Sequence, residues 1–240
     1  MPFVELPDKL DKFLRKQDEY ALVPMGTNCS VAYYLRKRGL RQTAYPLDWT
    51  VTPMRSVGML LENEFEDFLQ EENLVFLPKT KRLLFDEREN RLETRNEVVT
   101  PVVCRKYKIL YPHDFSQKGR AEYDSIREKY LRRIEKLYET LISNRLIFFI
   151  TNDEYPNEWQ IRQYEEAIET LPEFGNLAVP WRAPLIRQLE VQYPHMRFTV
   201  VSVATFIRKY EKLSYRAMEM SRGLKRRIFG YLRGKSCCSF

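Results

Sequence analysis

The sequence predicts a mixed α+β or α/β arrangement built around one core. Three observations carry that reading. A short apolar strand runs through a glycine turn into an amphipathic helix near residue 29. A run of β-leaning segments occupies the middle of the chain. The later half alternates apolar strands with helical patterns. At 240 residues the chain fits one domain with a substantial core, and its many aromatics and scarce glycine argue for packed structure.

The elements follow in order. An opening helix is expected where Leu10, Phe13 and Leu14 share a face. Next comes the apolar stretch Ala21-Leu22-Val23, a buried strand. Gly26 then supplies the backbone freedom for a sharp turn, and Thr27 or Asn28 offers a side-chain cap. Val31, Ala32 and Leu35 recur at helical spacing. Cys29 is thereby set in the first helical turn, where free N–H groups and the helix dipole favour a thiolate. A buried packing role for Cys29 is the competing reading.

Beyond it a helix is expected over about residues 53–63, then strands at 74–77, 83–85, 98–103 and 107–111. A long helix over 121–142 carries a buried stripe of Tyr123, Ile126, Tyr130, Ile134, Leu137 and Leu141. Strands at 145–151 and 197–203 alternate with helices at 157–170 and 184–192.

Four short motifs stand in order: Gly26-x-x-Cys29, Pro46-x-Asp48-Trp49, His113-Asp114-Phe115 and Lys129-Tyr130-x-Arg132-Arg133-Ile134. Together they resemble a domain family described as papain-like cysteine peptidases, over roughly residues 20–150. The resemblance implies an α+β papain-like domain over 1–220, with a central, mainly antiparallel sheet and the nucleophile on a helix N-terminus. It also implies a Cys–His pair performing acyl-transfer chemistry, here Cys29 and His113. A thiol near its ordinary pKa needs a neighbouring imidazole or a helix N-terminus to act as a nucleophile. Only two histidines are present, and His195 reads as a turn residue.

A third group should orient the imidazole, as Asn or Asp does in papain-like enzymes. Asn152 and Asp153 follow the strand after the histidine and are candidates for that role; Asp48 is expected to be structurally necessary. The Cys29 amide, with the Asn28 side chain, is the expected oxyanion donor. Lys129, Arg132 and Arg133 read as a solvated basic face, with docking of an acidic substrate or pairing with a carboxylate such as Asp114 left open.

Charge isolates the C-terminus. The chain carries +7, and six cations without an acid fall within 222–235, leaving the rest near neutral. That is no nucleic-acid footprint over the fold. Leu224, Ile228, Tyr231 and Leu232 share one helical face opposite the cations, which suits an anionic membrane surface. Cys237-Cys238-Ser239-Phe240 has the form C-a-a-X, so Cys237 is a candidate for prenylation and either cysteine for palmitoylation. Residues 221–240 are therefore expected to form a separate basic tail.

The N-terminus lacks the charge and apolar pattern of a secretory signal, and no apolar run is long enough to span a bilayer. The cysteines read as free thiols of a cytoplasmic protein, spaced unlike a zinc site, and no phosphate-binding glycine motif is present; neither metal nor cofactor is expected. The sequence reading is thus a cysteine hydrolase cleaving an amide or thioester of a protein or acylated substrate. Two alternatives share its features: a non-catalytic membrane-associated interaction module, and a thiol acyltransferase or transglutaminase-like enzyme. The sequence leaves the oligomeric state undetermined.

Overall fold

Strand β1 (Tyr20–Pro24) is buried along its whole length, as a strand covered on both faces must be. It pairs in parallel with β7 (Leu146–Thr151), which pairs in parallel with β8 (Arg197–Ser202), giving a three-stranded sheet in the order β1-β7-β8. The structure is a computed structural model, and the residues it describes are 19–26, 29–37, 39–85, 94–152 and 182–206. The opening helix, the helix expected at 157–170 and the basic tail lie outside them, as do Asn28, Asp153, Cys237 and Cys238.

Alternate side chains of the parallel sheet enter two cores. Tyr20, Leu22, Leu146, Phe148, Ile150 and Val201 pack with Val31 and Leu35 of helix α1 (Ser30–Lys37). From the opposite face, Ala21, Val23, Ile147, Phe149, Phe198 and Val200 join a larger cluster. That cluster is filled by α2 (Met54–Glu62), α3 (Tyr123–Leu141) and α4 (Arg182–Gln192). The period-2 alternation of the strands therefore sends successive residues to opposite helix layers.

A second sheet is antiparallel, ordered β2-β5-β6, from β2 (Leu74–Phe76), β5 (Val102–Cys104) and β6 (Ile109–Tyr111). A hairpin of β3 (Thr80–Phe85) and β4 (Thr94–Val99) stands beside it. The single strand expected at 98–103 is thus two strands. Pro101 interrupts it, because proline has no N–H to give a ladder, while its carbonyl accepts the Leu77 amide at 2.9 Å. The strand expected at 107–111 begins at Ile109, since the chain reverses between Cys104 and Ile109 with Lys108 at φ +54°.

The expectation of one central, mainly antiparallel sheet needs correction. The strand that leads to Cys29 belongs to a parallel sheet with helices on both faces, and the antiparallel strands form separate small sheets. The physical reason lies in the connections. Parallel strands need long crossovers, and the α2-to-α3 stretch between β1 and β7 supplies one. What holds at the coarser level is a mixed α/β protein. No helix among the described residues is long and apolar enough to cross a membrane.

Candidate functional site at the carboxyl end of the parallel sheet

After Pro24 the chain keeps one more ladder bond, from the Met25 amide to the Ile150 carbonyl at 2.9 Å, and then turns. Gly26 makes the turn at φ +77°. A Cβ built there would stand 2.9 Å from Thr52 Cβ, so glycine is required both for its conformation and for the close approach. The Cys29 carbonyl accepts the Tyr33 amide at 3.0 Å. Cys29 therefore occupies the N-cap of α1, half-buried at the carboxyl end of β1. Cys104, by contrast, is fully buried in β5, and burial pushes its thiol up.

The helix after β1 packs on one face of the sheet, and α4, in the connection from β7 to β8, packs on the other. In open parallel sheets such a divergence opens a crevice at the carboxyl ends of the strands, where ligands bind. Asn152, just past β7, is buried there and donates from Nδ2 to Ser30 Oγ at 3.1 Å. This amide thus holds the residue next to Cys29. Ser30 carried no sequence signal of its own beyond its place after the cysteine.

The segment 45–52 runs along this end of the molecule. Asp48 is buried, its Oδ2 accepting Arg41 Nη2 at 2.7 Å, Arg41 Nε at 3.1 Å and the Tyr45 amide at 3.1 Å. Burial still pushes its carboxyl up, more than the Arg41 charge pulls it down. One buried carboxylate oxygen thus ties Arg41 to the start of segment 45–52. Thr50 and Thr52 share a hydroxyl bond of 2.7 Å, and Val51 exchanges backbone hydrogen bonds with Leu110 of β6. Trp49 meets the His113 ring edge-on, with centroids 6.0 Å apart, and the Arg41 guanidinium lies 5.6 Å from the indole. One segment therefore touches the Cys29 turn through Thr52 and the histidine through Trp49.

His113 is half-buried just past β6, and the side chain of its neighbour Asp114 is buried. The Asp114 carboxylate accepts Lys129 Nζ at 2.6 Å on one oxygen and the Tyr130 hydroxyl at 2.9 Å on the other. Burial alone would raise this carboxyl, but the charges of Lys129, His113 and Arg133 hold it below its ordinary value. Lys129, Tyr130 and Arg133 stand on one side of α3, with the Arg133 guanidinium 5.3 Å from the Tyr130 ring. The carboxylate pairing left open for Lys129 is therefore present. Arg132 instead faces solvent beside Glu128. Three motifs far apart in sequence, at 46–49, 113–115 and 129–134, meet in this cluster.

A parallel-sheet α/β protein with a cysteine capping the helix after its first described strand is the class that fold and site define. Its relatives say more. Residues 20–181 match the family described as "Putative papain-like cysteine peptidase", and the chain belongs to that family. It is also similar to an uncharacterised protein of Acanthamoeba polyphaga mimivirus, 27% identical over 154 residues, covering 62% of this chain and 69% of that protein. No solved structure matches significantly.

Proposed function

We propose that the chain is a cysteine hydrolase that cleaves an amide or thioester, with Cys29 as nucleophile and His113 as its base. The observation that carries the reading is the N-cap position of Cys29 at the crevice end of β1. There the helix dipole of α1 favours a thiolate. Family membership and the shared contact of segment 45–52 with both the Cys29 turn and His113 support it.

In this reading the His113 ring takes the thiol proton and the sulfur attacks the substrate carbonyl. The oxyanion is met by the Cys29 amide and the Asn28 side chain. Collapse of the intermediate expels the amine or thiol, which takes the proton back from the imidazolium. Water, deprotonated by the same ring, then attacks the acyl-enzyme, releasing the acid and restoring the thiol. Asn152 steadies the start of α1 through Ser30. If an acyl acceptor other than water enters the second step, the same intermediate gives a transferase.

The test is alkylation of Cys29 by iodoacetamide, resolved by peptide mass spectrometry across pH. An activated thiol reacts at about pH 6 faster than a free thiol of ordinary pKa near 8.5, and His113→Ala slows it. Cys104 is no fit comparator, because its burial alone would slow it. A Cys29 that reacts as an ordinary thiol, indifferent to His113, leaves the non-catalytic module as the better reading.

The same proposal assigns the tail to location. The six cations of residues 222–235 would hold the protein peripherally on an anionic membrane, and a lipid on Cys237 or Cys238 would make that binding persistent.

A further inference from the structure

We propose that Trp49 is a positioning residue that fixes the orientation of the His113 ring. The inference rests on the Cys29–His113 reading above and deepens it. The indole meets the imidazole edge-on, with ring centroids 6.0 Å apart and planes at 64°. Such pairs are favourable because the positive edge of one ring meets the negative face of the other. The contact therefore favours one setting of the imidazole over free rotation about its side-chain bonds.

An indole can steady another ring only when it is steadied itself, and the surrounding segment provides for that. Val51 exchanges backbone hydrogen bonds of 2.9 and 3.0 Å with Leu110 of β6. In an antiparallel pairing the residues just before Val51 run beside those just after Leu110, which brings Trp49 to the His113 end of β6. Asp48, the preceding residue, is tied to Arg41 and the Tyr45 amide, and the Tyr45 hydroxyl lies 3.2 Å from Thr140 Oγ1 on α3. Trp49 is itself buried, with the Arg41 guanidinium 5.6 Å from its ring. Strand β6 thus carries the histidine, and a segment anchored on both sides presents the indole to it. Of the side chains offered to orient the ring, Asn152 is bonded to Ser30, whereas Trp49 stands against the ring itself.

With only two histidines in the chain, proton NMR of the full-length protein follows the His113 ring directly, using His195→Gln for assignment. The His113 and Trp49 ring protons of the wild-type protein should show a nuclear Overhauser effect, and its absence overturns the inference. Trp49→Leu keeps an apolar side chain without the ring, and Trp49→Phe keeps a smaller ring. Alkylation of Cys29 by iodoacetamide at about pH 6 should slow roughly threefold or more in Trp49→Leu, the scale of one aromatic pair, and less in Trp49→Phe.

A double-mutant cycle separates positioning from packing. If Trp49 acts through His113, Trp49→Leu slows Cys29 no further in the His113→Ala background. An effect undiminished in that background means that Trp49 acts by packing alone, and overturns the inference. Should Trp49→Leu fail to fold, the Overhauser effect and the same cycle with Trp49→Phe decide. If His113→Ala slows Cys29 but neither Trp49 variant does, the hydrolase reading stands and the inference about Trp49 falls. If His113→Ala itself leaves Cys29 unchanged, the hydrolase reading fails and takes this inference with it.

Discussion

Gly26→Ala should disable the site from within the backbone. At φ +77° an L side chain costs roughly 1–2 kcal/mol in its own conformation. The added methyl would also stand 2.9 Å from Thr52 Cβ and 3.4 Å from the Thr52 carbonyl oxygen, neither of which is the far end of a flexible chain. Relief requires the turn and segment 45–52 to part, an overpacking cost of about 1–3 kcal/mol. Together the loss is roughly 2–5 kcal/mol. Urea unfolding followed by tryptophan fluorescence reads it, since Trp49 is buried in the segment that must move. Gly26→Asn separates the two causes: asparagine tolerates the left-handed region but keeps the clash, so it should recover only about 1 kcal/mol. Cys29 alkylation should slow in both variants, because the displaced turn carries the N-cap. A loss below about 0.5 kcal/mol for Gly26→Ala, the range of neutral surface changes, would refute the packing argument.

Further outcomes test the other contacts. Tyr130→Phe leaves one Asp114 oxygen without its donor and should cost about 1–3 kcal/mol by urea unfolding, with Cys29 slowed as well. Asp114 is held below its ordinary value, so its ionisation stabilises the fold above the unfolded-chain value of about 3.9 and is lost as pH falls through the lower folded value. Acid unfolding below about pH 4 should therefore be blunted in Asp114→Asn. Asp48 has the opposite sign, being raised by burial, so Asp48→Asn should not blunt it. Deleting residues 221–240 should leave the urea midpoint unchanged and abolish binding to phosphatidylserine vesicles, each lost cation removing about 1 kcal/mol of attraction. A truncated chain that binds vesicles as before refutes the tail's role.

How much of this was legible in the sequence depends on the range of the cause. The Cys29 turn is local: an apolar strand, a glycine and a helical repeat within sixteen residues state their own geometry, although the N-cap falls on Cys29 itself and not, as expected, on Thr27 or Asn28. The helices at 54–62, 123–141 and 182–192 were equally plain, since each carries its own apolar stripe or flanking turn. Sheet pairing is not local. The segments of β1, β7 and β8 are apolar on both faces, the pattern of a covered parallel sheet, yet the family resemblance drew the expectation toward an antiparallel one. The polar cluster around Asp114 depends on still longer reach. Nothing near Asp114 in sequence says that Lys129 and Tyr130 will clamp it; consecutive residues of a helix point about 100° apart, and only docking of α3 under β6 brings both to one carboxylate. Tyr130 was legible as core and is core, but its hydroxyl has a second function that hydropathy cannot express. The buried stripe of α3 and the polar grip on Asp114 are thus the same surface, and a substitution that loosens the packing of α3 should disturb His113 without touching it.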